Sequence, residues 1–311
     1  VLFLQAQMRM PQSNLPRFNR WLNNDEFVIN TKLKAGTPSA DYVYNINTKA
    51  YTPAPAAIMK EEATVSLKSG EVVIKVSGVE TVLTSDKGDK KNPQLSPDGQ
   101  FVGYTNNNNL YTVGVADKKV TAITSEKEKG ILNGYASWVY MEEILGRASQ
   151  YRSFWWNPNS KQLAFFRSDD SKVPEFTLTD APGQHGYVDK IRYPKVGDPN
   201  PEVKVGIVDA SGGKTTWADF NASDDQYFGL PYWKPDGSSL LVQWMNRLQN
   251  ELKIWQVNPT NGSKNIFLTE TQKTWINLDD EGDRILFLKS GKGFLYLSDQ
   301  SGYQHVYLYD M

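Results

Sequence analysis

Apolar and polar residues alternate with period two along most of the chain, in short runs closed by turn residues. Examples are Asn109-Leu110-Tyr111-Thr112-Val113, Leu252-Lys253-Ile254-Trp255-Gln256-Val257 and Phe294-Leu295-Tyr296-Leu297. A period of two places one face of an extended segment on a core, so these runs predict β-strands. A phrase recurs ahead of them: a turn with Pro, Asp or Asn and Gly, then an apolar strand. It stands at Ser96-Pro97-Asp98-Gly99, Trp156-Asn157-Pro158-Asn159 and Trp233-Lys234-Pro235-Asp236-Gly237, and more weakly at Asp279-Asp280-Glu281-Gly282. Pro presets the turn dihedral, and Gly or Asn accepts positive φ. Three or four antiparallel strands per phrase, repeated, predict an all-β fold, a β-propeller. A pair of β-sandwiches is the rival all-β arrangement.

Counted from Asp98, Asn159, Asp236 and Glu281, the copies lie 61, 77 and 45 residues apart. A blade needs about 40–45 residues, so the two longer intervals must hold insertions. The whole chain, 1–311, reads as one incomplete propeller of five to six blades, at roughly 17–53, 60–90, 92–126, 154–220, 229–272 and 274–311. One segment breaks the alternation. Trp138-Val139-Tyr140-Met141-Glu142-Glu143-Ile144-Leu145-Gly146-Arg147 is rich in helix formers, and Gly146 is placed to end it. A short helical insertion is therefore expected over 137–147.

Composition narrows the function. Lys plus Arg number 34 and Asp plus Glu 35, a net charge of −1. That balance argues against a nucleic-acid partner, which needs a basic face. No run approaches the roughly 20 apolar residues of a membrane span. Cysteine is absent, which excludes disulfides, thiolate metal sites and a Cys nucleophile. The chain opens on Val1, so a targeting signal would not be visible in it. No cofactor motif stands out. Ser211-Gly212-Gly213-Lys214-Thr215 ends like a phosphate loop, but its first Gly would fall at Val208, and it reads as a hairpin turn. Asp279 to Asp283 has the acidity of a calcium loop without its Gly or its final Glu.

The helical insertion carries the candidate chemistry, adjacent Glu142 and Glu143. Neighbouring helical residues point about 100° apart, yet both carboxylates can reach one cation at the helix edge. An α-ammonium has three donors and suits such a pair. Each charged hydrogen bond would contribute roughly 1.5–3 kcal/mol. The plain alternative is a solvated surface pair.

Trp138-Val139-Tyr140-x-Glu142-Glu143, followed by Phe154-Trp155-Trp156-Asn157-Pro158-Asn159, resembles the dipeptidyl peptidase IV family of serine peptidases. So do Val173-Pro174-Glu175, the run Ile191-Arg192-Tyr193-Pro194-Lys195-x-Gly197-x-x-Asn200-Pro201-x-Val203, and Gly302-Tyr303-Gln304-His305-Val306. The resemblance implies an eight-bladed N-terminal propeller whose paired glutamates, here Glu142 and Glu143, hold the free N-terminus of a peptide substrate. It implies release of dipeptides with Pro or Ala second. It also implies a C-terminal α/β-hydrolase domain supplying Ser, Asp and His, a homodimer, and a periplasmic or extracellular location. Ser137 and Met141 depart from the Asp and third Glu common in the family. No Gly-x-Ser-x-Gly elbow occurs. The two histidines, His185 and His305, lack recognisable partners, so the chain is expected to be an inactive propeller fragment. The competing functions are a non-catalytic module binding protein or carbohydrate, and a glycosidase. The glycosidase needs two carboxyls about 5–9.5 Å apart across a cleft, which adjacent residues supply poorly.

Overall fold

The structure is a computed structural model. It describes residues 16–55 and 63–311, apart from 24, 35, 182–183, 279–283 and 289, and apart from the side chains of Arg20 and Trp21. Two compact units result, Val1–Glu62 and Ala63–Met311. The weaker fourth turn phrase and the acidic run at 279–283 lie outside the described residues. No helix among the described residues is long and apolar enough to cross a membrane.

The first unit holds one antiparallel meander, β1 (Arg17–Trp21), β2 (Glu26–Thr31), β3 (Ala40–Asn45) and β4 (Ala50–Pro53), paired in that order. Cross-strand aromatics support it: Phe27 lies 5.6 Å from Phe18 and 5.2 Å from Tyr44, and Tyr44 lies 4.7 Å from Tyr51. Val28 and Val43 are its buried apolar residues among those described.

The second unit begins with a three-stranded sheet, β5 (Thr64–Lys68), β6 (Glu71–Val76) and β7 (Val79–Val82). Next come β8 (Lys90–Leu95), β9 (Phe101–Asn106), β10 (Asn109–Gly114) and β11 (Val120–Ala122), each paired with the next. β8 is hidden from pattern reading, because Lys-Lys-Asn-Pro looks like a loop. Pro93 is accommodated where the β8–β9 register shifts between Lys91 and Gln94. Asn107 and Asn108, both at positive φ, turn β9 into β10.

The following sheet explains the first long interval. β12 (Ile131–Asn133) is followed by helix α1 (Trp138–Glu143), then β13 (Phe154–Trp156) and β14 (Gln162–Asp169). Both β12 and β13 pair with β14, so the helix lies inside this sheet's own connection and not between two blades. The second long interval holds a separate hairpin, β15 (Glu175–Asp180) with β16 (Tyr187–Arg192), before β17 (Glu202–Asp209) returns to β14 and β18 (Thr216–Trp217) closes the sheet. The phosphate-loop-like Ser211–Lys214 is the link between β17 and β18.

A five-stranded sheet follows: β19 (Gln226–Phe228), β20 (Tyr232–Trp233), β21 (Leu240–Asn246), β22 (Glu251–Val257) and β23 (Lys264–Thr271). The last sheet is β24 (Ile285–Phe287), β25 (Gly293–Ser298) and β26 (His305–Asp310). Among the described residues this makes six blade sheets and one two-stranded hairpin.

The recurring turn has a role that spacing does not reveal. Ser160 Oγ accepts from Asp98 N at 2.9 Å, and Asn157 Nδ2 donates to Gly237 O at 3.0 Å. The first copy is thus tied to the second, and the second to the third. Gly237 sits at φ +71°, and a Cβ there would come within 2.3 Å of Asn157 Oδ1, so the third copy requires Gly. Of the tryptophans, Trp233 is buried in the core between the sheets of β14 and β21, and Trp155 and Trp244 pack against it. Trp156 packs beside Phe154 and Leu163.

Candidate functional site

Ser137 starts the helix: its Oγ accepts from Tyr140 N at 3.4 Å. Ser and Asp are both favoured N-caps, so the departure from the family's Asp keeps the cap. The helix is shorter than its composition predicts. It stops at Glu143 with Ile144 as C-cap, and Gly146, at φ +75°, leads instead into a separate 3₁₀ turn, Arg147–Ser149.

Burial orients the helix. Tyr140, Met141 and Ile144 enter the core. The Tyr140 ring meets Phe166 edge-on at 6.0 Å, and its hydroxyl accepts from Phe228 N at 3.2 Å. Burial pushes the Tyr140 phenol well above its usual range. With that face fixed, Glu142 is left half-buried and Glu143 exposed. The Tyr-Pro-Lys run braces the same region. Tyr193 packs on Trp138 at 4.2 Å, Arg192 donates to Val173 O at 2.8 Å, and Asn200 donates to the Tyr227 hydroxyl at 3.1 Å.

The two carboxylates are not equivalent. Glu142 Oε1 accepts from Arg147 Nε at 2.8 Å and also from Arg147 Nη2. The Glu142 side chain is 18% exposed and that of Arg147 78%. The hydrogen bond to Glu142, reinforced by its charge, raises Arg147 above its ordinary pKa. Burial raises Tyr151, with smaller contributions from the stacked Tyr135 and from Glu142. Glu143 makes no hydrogen bond among the described residues. It lines a cavity of about 250 Å³ with Val139, Ile144, Tyr227, Met245 and Gln249. Val139 and Glu143 share that wall because residues four apart lie on one helix face. The cavity is small against the 300–1,000 Å³ of whole-ligand pockets, and its size suits one end of a longer ligand. Two carboxylates and one guanidinium leave a local charge of −1, which complements a single ammonium.

Sequence reasoning singled out the glutamates but not Arg147, Tyr227, Met245 or Gln249. A helix running on would have paired Glu143 with Arg147 at i, i+4; the early stop gives the pair to Glu142. The histidines stand elsewhere. His185 is exposed between β15 and β16. His305, also exposed, has Nδ1 3.1 Å from Ser301 Oγ, and no carboxylate orients its ring among the described residues.

The model of the dipeptidyl peptidase IV (DPP IV) N-terminal region matches residues 32–311. The chain belongs to this family. A protein of Emericella nidulans named "Probable dipeptidyl peptidase 4" is 33% identical over 254 residues, which are 75% of this chain and 32% of that protein. One of Chaetomium globosum, named "Probable dipeptidyl-aminopeptidase B", is 30% identical over 176 residues, 52% of this chain and 18% of its own length. The crystal structure of Porphyromonas gingivalis dipeptidyl peptidase 4 superimposes with a TM-score of 0.72 at 21% identity, over 96% of this chain and 46% of that one. That likeness shows the fold, the all-β propeller. The DPP IV-family chain described here therefore spans about a third of the length of the Emericella relative.

Proposed function

We propose that this chain is the propeller region of a serine-type dipeptidyl peptidase that releases N-terminal dipeptides with Pro or Ala second, and that Glu142 and Glu143 bind the substrate α-ammonium. The observation that carries the reading is the Glu143 carboxylate, without a hydrogen-bond partner on a cavity wall, beside a Glu142 whose charge Arg147 balances. In this reading Glu143 takes the ammonium directly and Glu142 offers its second oxygen. The clamp fixes how far a peptide enters, so the scissile carbonyl falls two residues from the held end. Binding energy at the remote ammonium is spent on alignment. Ser, Asp and His come from an α/β-hydrolase domain beyond this chain, and the chain alone is inactive. An eight-bladed propeller, a homodimer and a periplasmic or extracellular location belong to the same proposal, carried by family membership.

The test uses the full-length enzyme. Glu143→Ala should lower kcat/KM for dipeptide release about tenfold or more, the loss of one charged hydrogen bond. N-acetylated substrates should be poor. For free peptides kcat/KM should fall above about pH 8, where an α-amino group loses its proton. Unchanged kcat/KM in Glu142→Ala and Glu143→Ala would reject the clamp.

A further inference from the structure

A second cavity, of about 390 Å³, lies where β5, β8 and the 3₁₀ turn meet, and it shares no lining residue with the cavity beside Glu143. Its walls include Val65 and Leu67 of β5, Pro93 and Gln94 of β8, and Ser149 and Arg152; among the described residues no acidic side chain lines it. Arg152 is half-buried there. Its one side-chain hydrogen bond among the described residues goes to a neutral acceptor, Gln94 Oε1, at 3.2 Å. Arg147, Arg167, Arg192 and Arg247, by contrast, each face a carboxylate. Burial lowers Arg152 from its ordinary pKa, and no acidic neighbour among the described residues offsets the effect. A cation taken from water without a counter-charge is destabilising.

Three further observations converge on this cavity. Ser149 Oγ is shut from solvent and has no hydrogen-bond partner. The backbone around it is strained, with Asn92, Gln150 and Tyr151 all at positive φ without being glycine. Asn92 Nδ2 locks two of these together by donating to Gln150 O at 3.0 Å. β8 also bulges there, between Lys91 and Gln94. Strain, an uncompensated cation and an orphaned hydroxyl are all arranged around one space.

We propose that this cavity is a carboxylate-binding site. Arg152 supplies the planar fork that grips both carboxylate oxygens, Ser149 Oγ donates a further hydrogen bond, and Val65, Leu67 and Pro93 enclose a short aliphatic stem. A single guanidinium matches a singly charged group. The carboxylate belongs either to a small free acid or to an Asp or Glu side chain of a peptide. The site takes an anion where the Glu143 cavity takes a cation, so the two select opposite ends of chemistry.

The experiment titrates the full-length protein calorimetrically with sodium acetate and, separately, with acetyl-Gly-Glu-amide, at ionic strength held constant with sodium chloride. Acetyl-Gly-Gln-amide is the neutral control. Saturable binding of acetate alone assigns the site to small free acids; tighter binding of the Glu peptide assigns it to peptide side chains. Either is expected to weaken about tenfold or more in Arg152→Met and less in Ser149→Ala. Arg152→Lys keeps the charge without the fork and should bind more weakly than the parent, which covers the case in which the Met variant does not fold. No saturable heat with either probe, equal binding of the Gln control, or unchanged affinity in Arg152→Lys and Ser149→Ala would overturn the proposal.

Discussion

At the scale of single residues, the glutamate pair was legible as a candidate through its setting, Trp138-Val139-Tyr140-x-Glu142-Glu143, which resembles the family motif; two adjacent acids by themselves read as a solvated surface pair. Their inequality was not legible. It follows from where the helix stops, and that is set by burial of Tyr140, Met141 and Ile144, not by the propensity of the residues beyond. Charge-neutral replacements should expose the difference. If the proposed clamp holds the substrate ammonium, Glu143→Gln in the full-length protein should raise KM more than Glu142→Gln, because Glu142 already has one oxygen engaged with Arg147; steady-state kinetics of dipeptide release from one peptide with a free N-terminus checks this. Tyr140→Phe should cost about 1–2 kcal/mol in denaturant unfolding, since the Phe228 amide loses its acceptor.

At the scale of elements, the turn phrase and period-two runs carried the long strands β9, β10, β14, β21, β22 and β25, and left the short or exposed ones such as β12, β15, β16 and β18 unread. β8 was missed because Pro93 disguises a bulged strand as a loop. The pairing of β12 with β14 was missed because the helix separates them by tens of residues. The helix cap is testable: Ser137→Ala should destabilise by about 0.5–1 kcal/mol, and Ser137→Asp should not. A second test concerns Asp170, at the root of the β15–β16 hairpin. Burial pushes its carboxyl up to about 7, against a smaller opposing pull from Arg192. Between about pH 4 and 7 the unfolded chain has lost this proton while the folded chain keeps it, so stability falls as pH rises through that window and levels off above it. Asp170→Asn should remove this slope and stabilise the chain above pH 7, on the order of 2–4 kcal/mol by the free energy of a pKa unit. Denaturant midpoints measured at pH 5 and pH 8 decide it.

At the scale of the whole molecule, the propeller class was readable from repetition, whereas the division into two units was not. Among the described residues β1–β4 bury two apolar side chains, Val28 and Val43, whereas β14, β17 and β21 share an extensive core. Small cores open first. In hydrogen exchange the amides of β2 and β3 should lose protection before those of β14 and β17; simultaneous exchange would show a single cooperative unit instead.

The strands on either side of helix α1 grip the same partner, β14, so the helix is held like a jaw bolted at both ends to one frame. The opposing jaw, Tyr227, Met245 and Gln249, stands on or beside the next sheet's β19 and β21. Because the Tyr140 hydroxyl also takes the Phe228 amide of β19, the two jaws are pinned to each other through the core as well, and the span between them is held by the same contacts that aim the acidic pair.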